Sequence, residues 1–222
     1  MNYILPLFSV LLGYGIALFL KPKNKTNLKL LLAFSGSFLL SLTVIHLLPE
    51  VYESHNHSIG IFIMIGILFQ IVLEFFSKGA EHGHVHGHGD ISKIPWLLFI
   101  SLCIHALLEG LPVSHHKGLA MGISVHHLPI AIILTTFFIN ANLNKKAIFF
   151  FMITFAIMTP LGTVLANYLS VLNDYYTEIT AIVIGILFHI SSTIIFESSE
   201  GHKFNIAKVS MILIGIILAY FI

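Results

Sequence analysis

Arginine occurs nowhere in the chain, cysteine occurs once, and charged residues of every kind make up only 9% of its 222 positions. A soluble globular chain carries about a quarter charged residues, so this composition could not clothe a water-facing surface. The single cysteine, Cys103, sits within an apolar stretch, which excludes a disulfide framework and a thiolate cluster and gives redox chemistry no support. Eleven lysines against ten acids leave a formal charge of +1. They form no basic stripe of the kind a phosphate backbone needs, so no nucleic acid is expected as a partner. Regular apolar–polar alternation is missing as well, which argues against a membrane barrel.

What the chain has is hydrophobic length. Hydrophobic residues make up 57% of it, and the mean hydropathy is +0.94. Apolar runs of about 18 to 22 residues recur, each long enough to cross a roughly 30 Å hydrocarbon core. Eight transmembrane helices are predicted, at 2–20, 29–49, 59–77, 95–113, 119–139, 147–169, 178–197 and 205–222. The connections are short and polar, so 1–222 reads as one all-α integral membrane domain with the lipid bilayer as its partner. Within it, 78–94 is a histidine-rich loop. The first apolar run is followed, not preceded, by positive charge and lacks a small-residue cleavage site, so it reads as a retained helix instead of a signal peptide.

Lysine placement tests the count independently, because cytoplasmic loops carry excess positive charge near helix ends. Lys21, Lys23, Lys25 and Lys29 flank the first loop, Lys78 and Lys93 the third, Lys145 and Lys146 the fifth, and Lys203 and Lys208 the seventh. Lys117 alone falls in an even-numbered loop. Both termini are therefore expected outside and the odd loops in the cytoplasm, with the chain in a prokaryotic cytoplasmic (inner) membrane.

Histidine is the conspicuous residue, with fourteen copies. In the fourth span, His105 and Glu109 are four residues apart and so lie on one helical face. Ionisable groups deep in a bilayer persist mainly where they meet a partner, a cavity or an ion. A hydrogen-bonded His–Glu pair between helices is the plainer alternative. The fifth span holds His126-His127-Leu128-Pro129. Pro129 removes one backbone hydrogen bond and should bend the helix near Val125. Neighbouring residues sit about 100° apart, so only one of the two histidines is expected to face a given helix.

Depth supports a shared site. At about 1.5 Å per residue, Glu109 stands about 21 Å and His105 about 15 Å from the cytoplasmic end of their span. Counting down from the other side of a roughly 30 Å core puts His126 about 20 Å from that same end. A short loop makes the two helices antiparallel neighbours, so a His, Glu, His site at mid-membrane is geometrically available. Nitrogen and oxygen ligands suit zinc, and also iron or manganese, and leave coordination positions open as an exchanging site requires.

These patterns resemble the ZIP (Zrt/Irt-like) family of divalent metal transporters. The His-x-x-x-Glu-Gly of the fourth span is met by His105, Glu109 and Gly110, and the His-x-x-Pro of the fifth by His126 and Pro129. Supporting signals are His46-Leu47-Leu48-Pro49-Glu50, Thr159-Pro160-Leu161-Gly162 and the histidine-rich loop. The resemblance implies metal uptake toward the cytoplasm, both termini outside and a homodimer. It also implies an inverted repeat of helices 1–3 and 6–8 around helices 4 and 5. Zn2+ is then the expected substrate, with Fe2+, Mn2+ or Cd2+ as alternatives and no organic cofactor. Ala106 stands where binuclear members have Asn, and Ile130 where they have a bridging Glu or His, so a branch without a complete binuclear centre is implied. His127, often Lys in the single-site branch, is the remaining candidate ligand or an electrostatic partner.

Further polar positions join this reading. His82, His84, His86 and His88 alternate with Gly and Val in a composition suited to metal capture, or to a plain solvated linker. His46 and Glu50, with Glu53, His55 and His57, would draw cations to the outer mouth. His189 either lines the path or bonds a neighbouring helix. Glu74, Glu197 and Glu200 lie where metal would be released, and solvated helix ends account for them equally. The function expected is transport, not enzymatic turnover. A membrane metallohydrolase, for which no His-Glu-x-x-His helix is present, and a metal sensor that moves nothing are the alternatives.

Overall fold

A computed structural model describes residues 4–20, 25–54, 57–77, 95–197 and 206–222. Among these residues every regular element is helical. The order is α1 (Ile4–Leu20), α2 (Lys25–Leu42), a π-helical turn (Thr43–Leu47), α3 (Leu48–Glu53) and α4 (Ile59–Ser77). Then come α5 (Trp96–Gly110), a 3-10 turn (Leu111–Ser114), α6 (Lys117–Asn140), α7 (Lys145–Tyr168), α8 (Ser170–Asp174), α9 (Tyr176–Glu197) and α10 (Ile206–Tyr220).

Six helical stretches are long and apolar enough to cross a membrane: Asn27–Glu53, Ile59–Ser77, Trp96–Ser114, Gly118–Asn140, Lys145–Tyr168 and Tyr176–Phe196. The helices α1 and α10, of 17 and 15 residues, are shorter apolar helices. Boundaries depart from the expected spans by a few residues, most at the second, where α2, the π-helical turn and α3 follow one another without a break. Pro129 and Pro160 lie inside α6 and α7 without ending them, as membrane helices allow when neighbours satisfy the freed backbone. Asn144 starts α7 by accepting a 2.8 Å hydrogen bond from the Lys146 amide.

Four helix pairs build the bundle: α1 with α6, α5 with α7, α4 with α9 and α2 with α10. In lipid there is little hydrophobic drive between helices, so close backbone contact at small residues takes over. A Cβ at Gly110 would stand 2.1 Å from the Thr159 carbonyl oxygen, and one at Gly162 would stand 2.1 Å from that of Leu107. The Gly66–Gly185 crossing of α4 and α9 is equally tight. Phe138, Phe151 and Phe155 fill the core beside α5 and α7, with Phe138 and Phe151 edge to face at 4.8 Å. Outward-facing Ile61, Met64, Leu68 and Phe75 on α4 give that helix the apolar exterior that lipid requires.

Candidate metal centre

The α5–α7 crossing fixes the height of Glu109. Gly110, next in sequence, lies against Thr159 and Gly162, and the Thr163 hydroxyl donates a 2.8 Å hydrogen bond to the Gly110 carbonyl. One turn before Glu109, His105 brings Nε2 to 2.8 Å from Glu109 Oε1. On the facing helix, α6, His127 Nε2 lies 3.1 Å from Glu109 Oε2. α6 is tied to α1 by the Ser9 hydroxyl, which donates to the Ser124 carbonyl one turn before these histidines.

His105, Glu109 and His126 each offer one ligand atom, and the three atoms lie within 4.8 Å of one another. A tetrahedral zinc with bonds of about 2.0–2.1 Å would hold its ligand atoms about 3.3 Å apart, so small rotamer shifts close the group on an ion. None of the four side chains is more than 2% exposed. The Nδ1 of His126 is buried without a hydrogen-bond partner. A buried polar atom left unpaired is destabilising by about 1–3 kcal/mol, which a bound cation or an ordered water would relieve. The His105 and Glu109 atoms are close yet poorly aligned as a hydrogen bond, a disposition natural for two donors that converge on a third atom.

Both members of the His126-His127 pair reach Glu109 or its cluster, whereas helical geometry alone had suggested that one would turn away. His127 takes the Glu109 Oε2 that His105 leaves free, while His126 places a ligand atom within 4.8 Å of those of His105 and Glu109. Phe155 packs against the His127 ring at a centroid distance of 5.2 Å.

The other sequence candidates lie apart from this cluster. His189 Nε2 meets Glu74 Oε2 at 2.5 Å and lines a cavity of about 370 Å³ with Ile67, Phe188, Ser192, Thr193 and Phe196, so it both bonds a neighbouring helix and borders a space. His46 Nε2 lies 3.1 Å from the Ala219 carbonyl oxygen, and Glu50 Oε2 lies 2.9 Å from His116 Nε2. Burial holds the His116 imidazole below its ordinary range, with Glu50 pulling the other way. His57 and Glu53 are exposed. His55, His82, His84, His86, His88 and Glu200 fall outside the described residues, and of Glu197 only its place at the end of α9 is described.

Sequence reasoning passed over Gln70 and His116. Gln70 has no exposure, and neither its amide oxygen nor its nitrogen has a hydrogen-bond partner. A lone amide in a span whose other polar side chains, Glu74 and Ser77, lie toward its end, on the same stripe as Ile59, Ile63 and Gly66, was the available signal. For His116, the local sequence gave only a loop histidine.

No family model matches the sequence. The chain is 30% identical over 86 residues to the zinc transporter SLC39A7 of Rattus norvegicus and 31% identical over 86 residues to that of Mus musculus. Each match takes in 30% of this chain and 18% of the relative, so the chain spans less than a fifth of the length of the curated relatives it matches. By the helices of its described residues the chain is a helical membrane protein with a buried His/Glu cluster. By its partial likeness it is similar to zinc transporters, which accords with the ZIP resemblance of its motifs.

Proposed function

We propose that this chain carries a divalent metal ion, zinc first among them, across a membrane and into the cytoplasm. The observation that bears this reading is the convergence of His105, Glu109 and His126, fully buried on two facing membrane helices. Two imidazoles and one carboxylate bind an ion of zinc's character and leave a position for water, as a site that must release its cargo needs. His127 holds the second Glu109 oxygen and so fixes how the carboxylate presents the first.

In this reading α1 and α10 cross the membrane too, giving eight spans with both ends outside. The pairing of helices favours the inverted repeat. Exchanging the first three spans with the last three, and the fourth with the fifth, turns the α4–α9 pair into α10–α2 and the α1–α6 pair into α7–α5. Each of the four close pairs thus has its counterpart, as secondary transporters built from inverted repeats require.

The test is uptake into proteoliposomes across Zn2+, Fe2+, Mn2+ and Cd2+, comparing wild type with Glu109→Gln and with the His105→Ala/His126→Ala double variant. Saturable zinc flux that both variants abolish is the expected result. Flux that survives in both would sink the assignment, and metal binding without any flux would make the chain a sensor.

A further inference from the structure

Gln70 lies on the inner stripe of α4 with no exposure, and neither its amide oxygen nor its nitrogen has a hydrogen-bond partner. A primary amide has two donors and an acceptor, and leaving all of them unmet inside a membrane span is destabilising. The buried hydroxyls of Thr43, Thr163 and Ser191 avoid that penalty, each donating to the carbonyl four residues before it. A longer polar side chain ordinarily bonds across to another helix. Gln70 does neither.

Its surroundings supply the second observation. Gly66, one turn before, is pressed against Ile182 and Gly185 of α9, and Glu74, one turn after, brings Oε2 to 2.5 Å from His189 Nε2 on that same helix. Ile67 and His189 line the cavity of about 370 Å³ at this interface. Positions 67, 70 and 74 follow at steps of three and four residues and so share a face of α4. The amide therefore stands between a close helix crossing on one side and a cavity with a polar pair on the other. Height relates it to the metal cluster. Gln70 is seven residues from the end of α4 at Ser77, about 10 Å, and His105 is nine residues from the start of α5 at Trp96, about 14 Å. Those two helix ends flank the same loop and the helices pack together, so the amide sits a few ångströms to the loop side of His105.

We propose that Gln70 lines the route by which a hydrated divalent cation leaves the buried cluster, its amide bonding the ion's water in a passage between α4, α5 and α9 that is closed in this conformation. The proposal rests on the transport reading. A polar group that weakens a membrane span persists mainly where it serves an ion or substrate path. A neutral amide suits an exit, because it offers oxygen and N–H to a hydrated ion without a charge that would detain it. Glu74 and His189 continue the polar line toward the loop.

Gln70→Met fills the same space without a hydrogen-bonding amide. It should raise the melting temperature of the purified protein by a few degrees, while kcat for zinc uptake falls about tenfold and KM changes much less. Gln70→Asn, which retains the amide, should keep more of the flux and gain less stability. A lower melting temperature in the Met variant would make the amide a structural group bonded through an enclosed water and overturn the proposal, as would unchanged flux. Access is read independently of flux. In a Cys103→Ser background, Gln70→Cys in inside-out membrane vesicles should react with a charged methanethiosulfonate, and more slowly in Zn2+. Ile63→Cys, buried on the same stripe beyond the Gly66–Gly185 crossing, should stay inert. Equal inertness of the two variants overturns the proposal. A reactive, zinc-protected thiol in the Gln70→Cys chain, in a protein that moves no metal, upholds the passage and rejects transport.

Discussion

Glu109 is the one carboxylate among the described residues that is wholly buried, and two imidazoles divide its oxygens between them. That division separates two kinds of histidine. His126 contributes a ligand-type atom to the cluster, whereas His127 meets only the oxygen turned away from His105. Removing a residue that orients a ligand typically weakens metal binding about 10- to 100-fold, and removing a ligand weakens it further. His127→Ala should therefore raise the Kd for zinc by about 10- to 100-fold, with His127→Gln restoring most of it through a donated amide hydrogen bond. His126→Ala should do more damage and also change the ligand count seen by X-ray absorption of bound zinc. Equal losses in the two alanine variants would instead make both histidines ligands.

At the scale of the helices, the cluster depends on a crossing that has no room for a side chain. An alanine at Gly110 would drive its Cβ into the Thr159 carbonyl. Overpacking of this kind is destabilising by about 1–3 kcal/mol, so Gly110→Ala should lower the melting temperature of the purified protein and weaken zinc binding together. Thr163→Val removes the hydroxyl that donates to the carbonyls of Gly110 at 2.8 Å and Thr159 at 3.2 Å, and should be destabilising by about 1 kcal/mol in the same melt. The existence of these helices was legible in the sequence, because an apolar run of bilayer length has few other fates. Which glycines meet was not. Gly110 and Gly162 come together only when α5 and α7 are placed side by side, and nothing local to either marks the other. The same limit hid the Glu50–His116 contact, while His105 and Glu109 were readable because four residues of helix bring them together without any tertiary information.

For the whole molecule, the lysine pattern and the course of α6 make a joint statement about sidedness. Ser114 and Asn140 are both exposed and bracket that helix. In a Cys103→Ser background, Ser114→Cys should react with a membrane-impermeant maleimide on intact cells, and Asn140→Cys only after permeabilisation. The reverse pattern would turn the topology over, and labelling of both from one side would remove α6 from the membrane. Composition and charge bear on this level of organisation because insertion is decided by hydrophobic length and flanking lysines. The pairing of distant helices lay beyond them, since α1 could satisfy its lipid-facing requirement against many neighbours and meets α6 through particular small residues, Gly13 and Ala131.

The solitary carboxylate of the buried cluster also sets the electrical character of the proposed cycle. An ionised Glu109 with neutral imidazoles gives the empty site a charge of −1, and a divalent ion turns it to +1. The membrane voltage then pulls the loaded and empty forms in opposite directions, with about 2.3 kcal/mol acting on each elementary charge per 100 mV. Zinc uptake into proteoliposomes should accelerate when a potassium diffusion potential makes the interior negative and slow when it makes the interior positive. A rate indifferent to voltage would mean that two protons, one on Glu109 and one on an imidazole, take the cation's place on the return, and the carrier would then acidify the side from which it draws its metal.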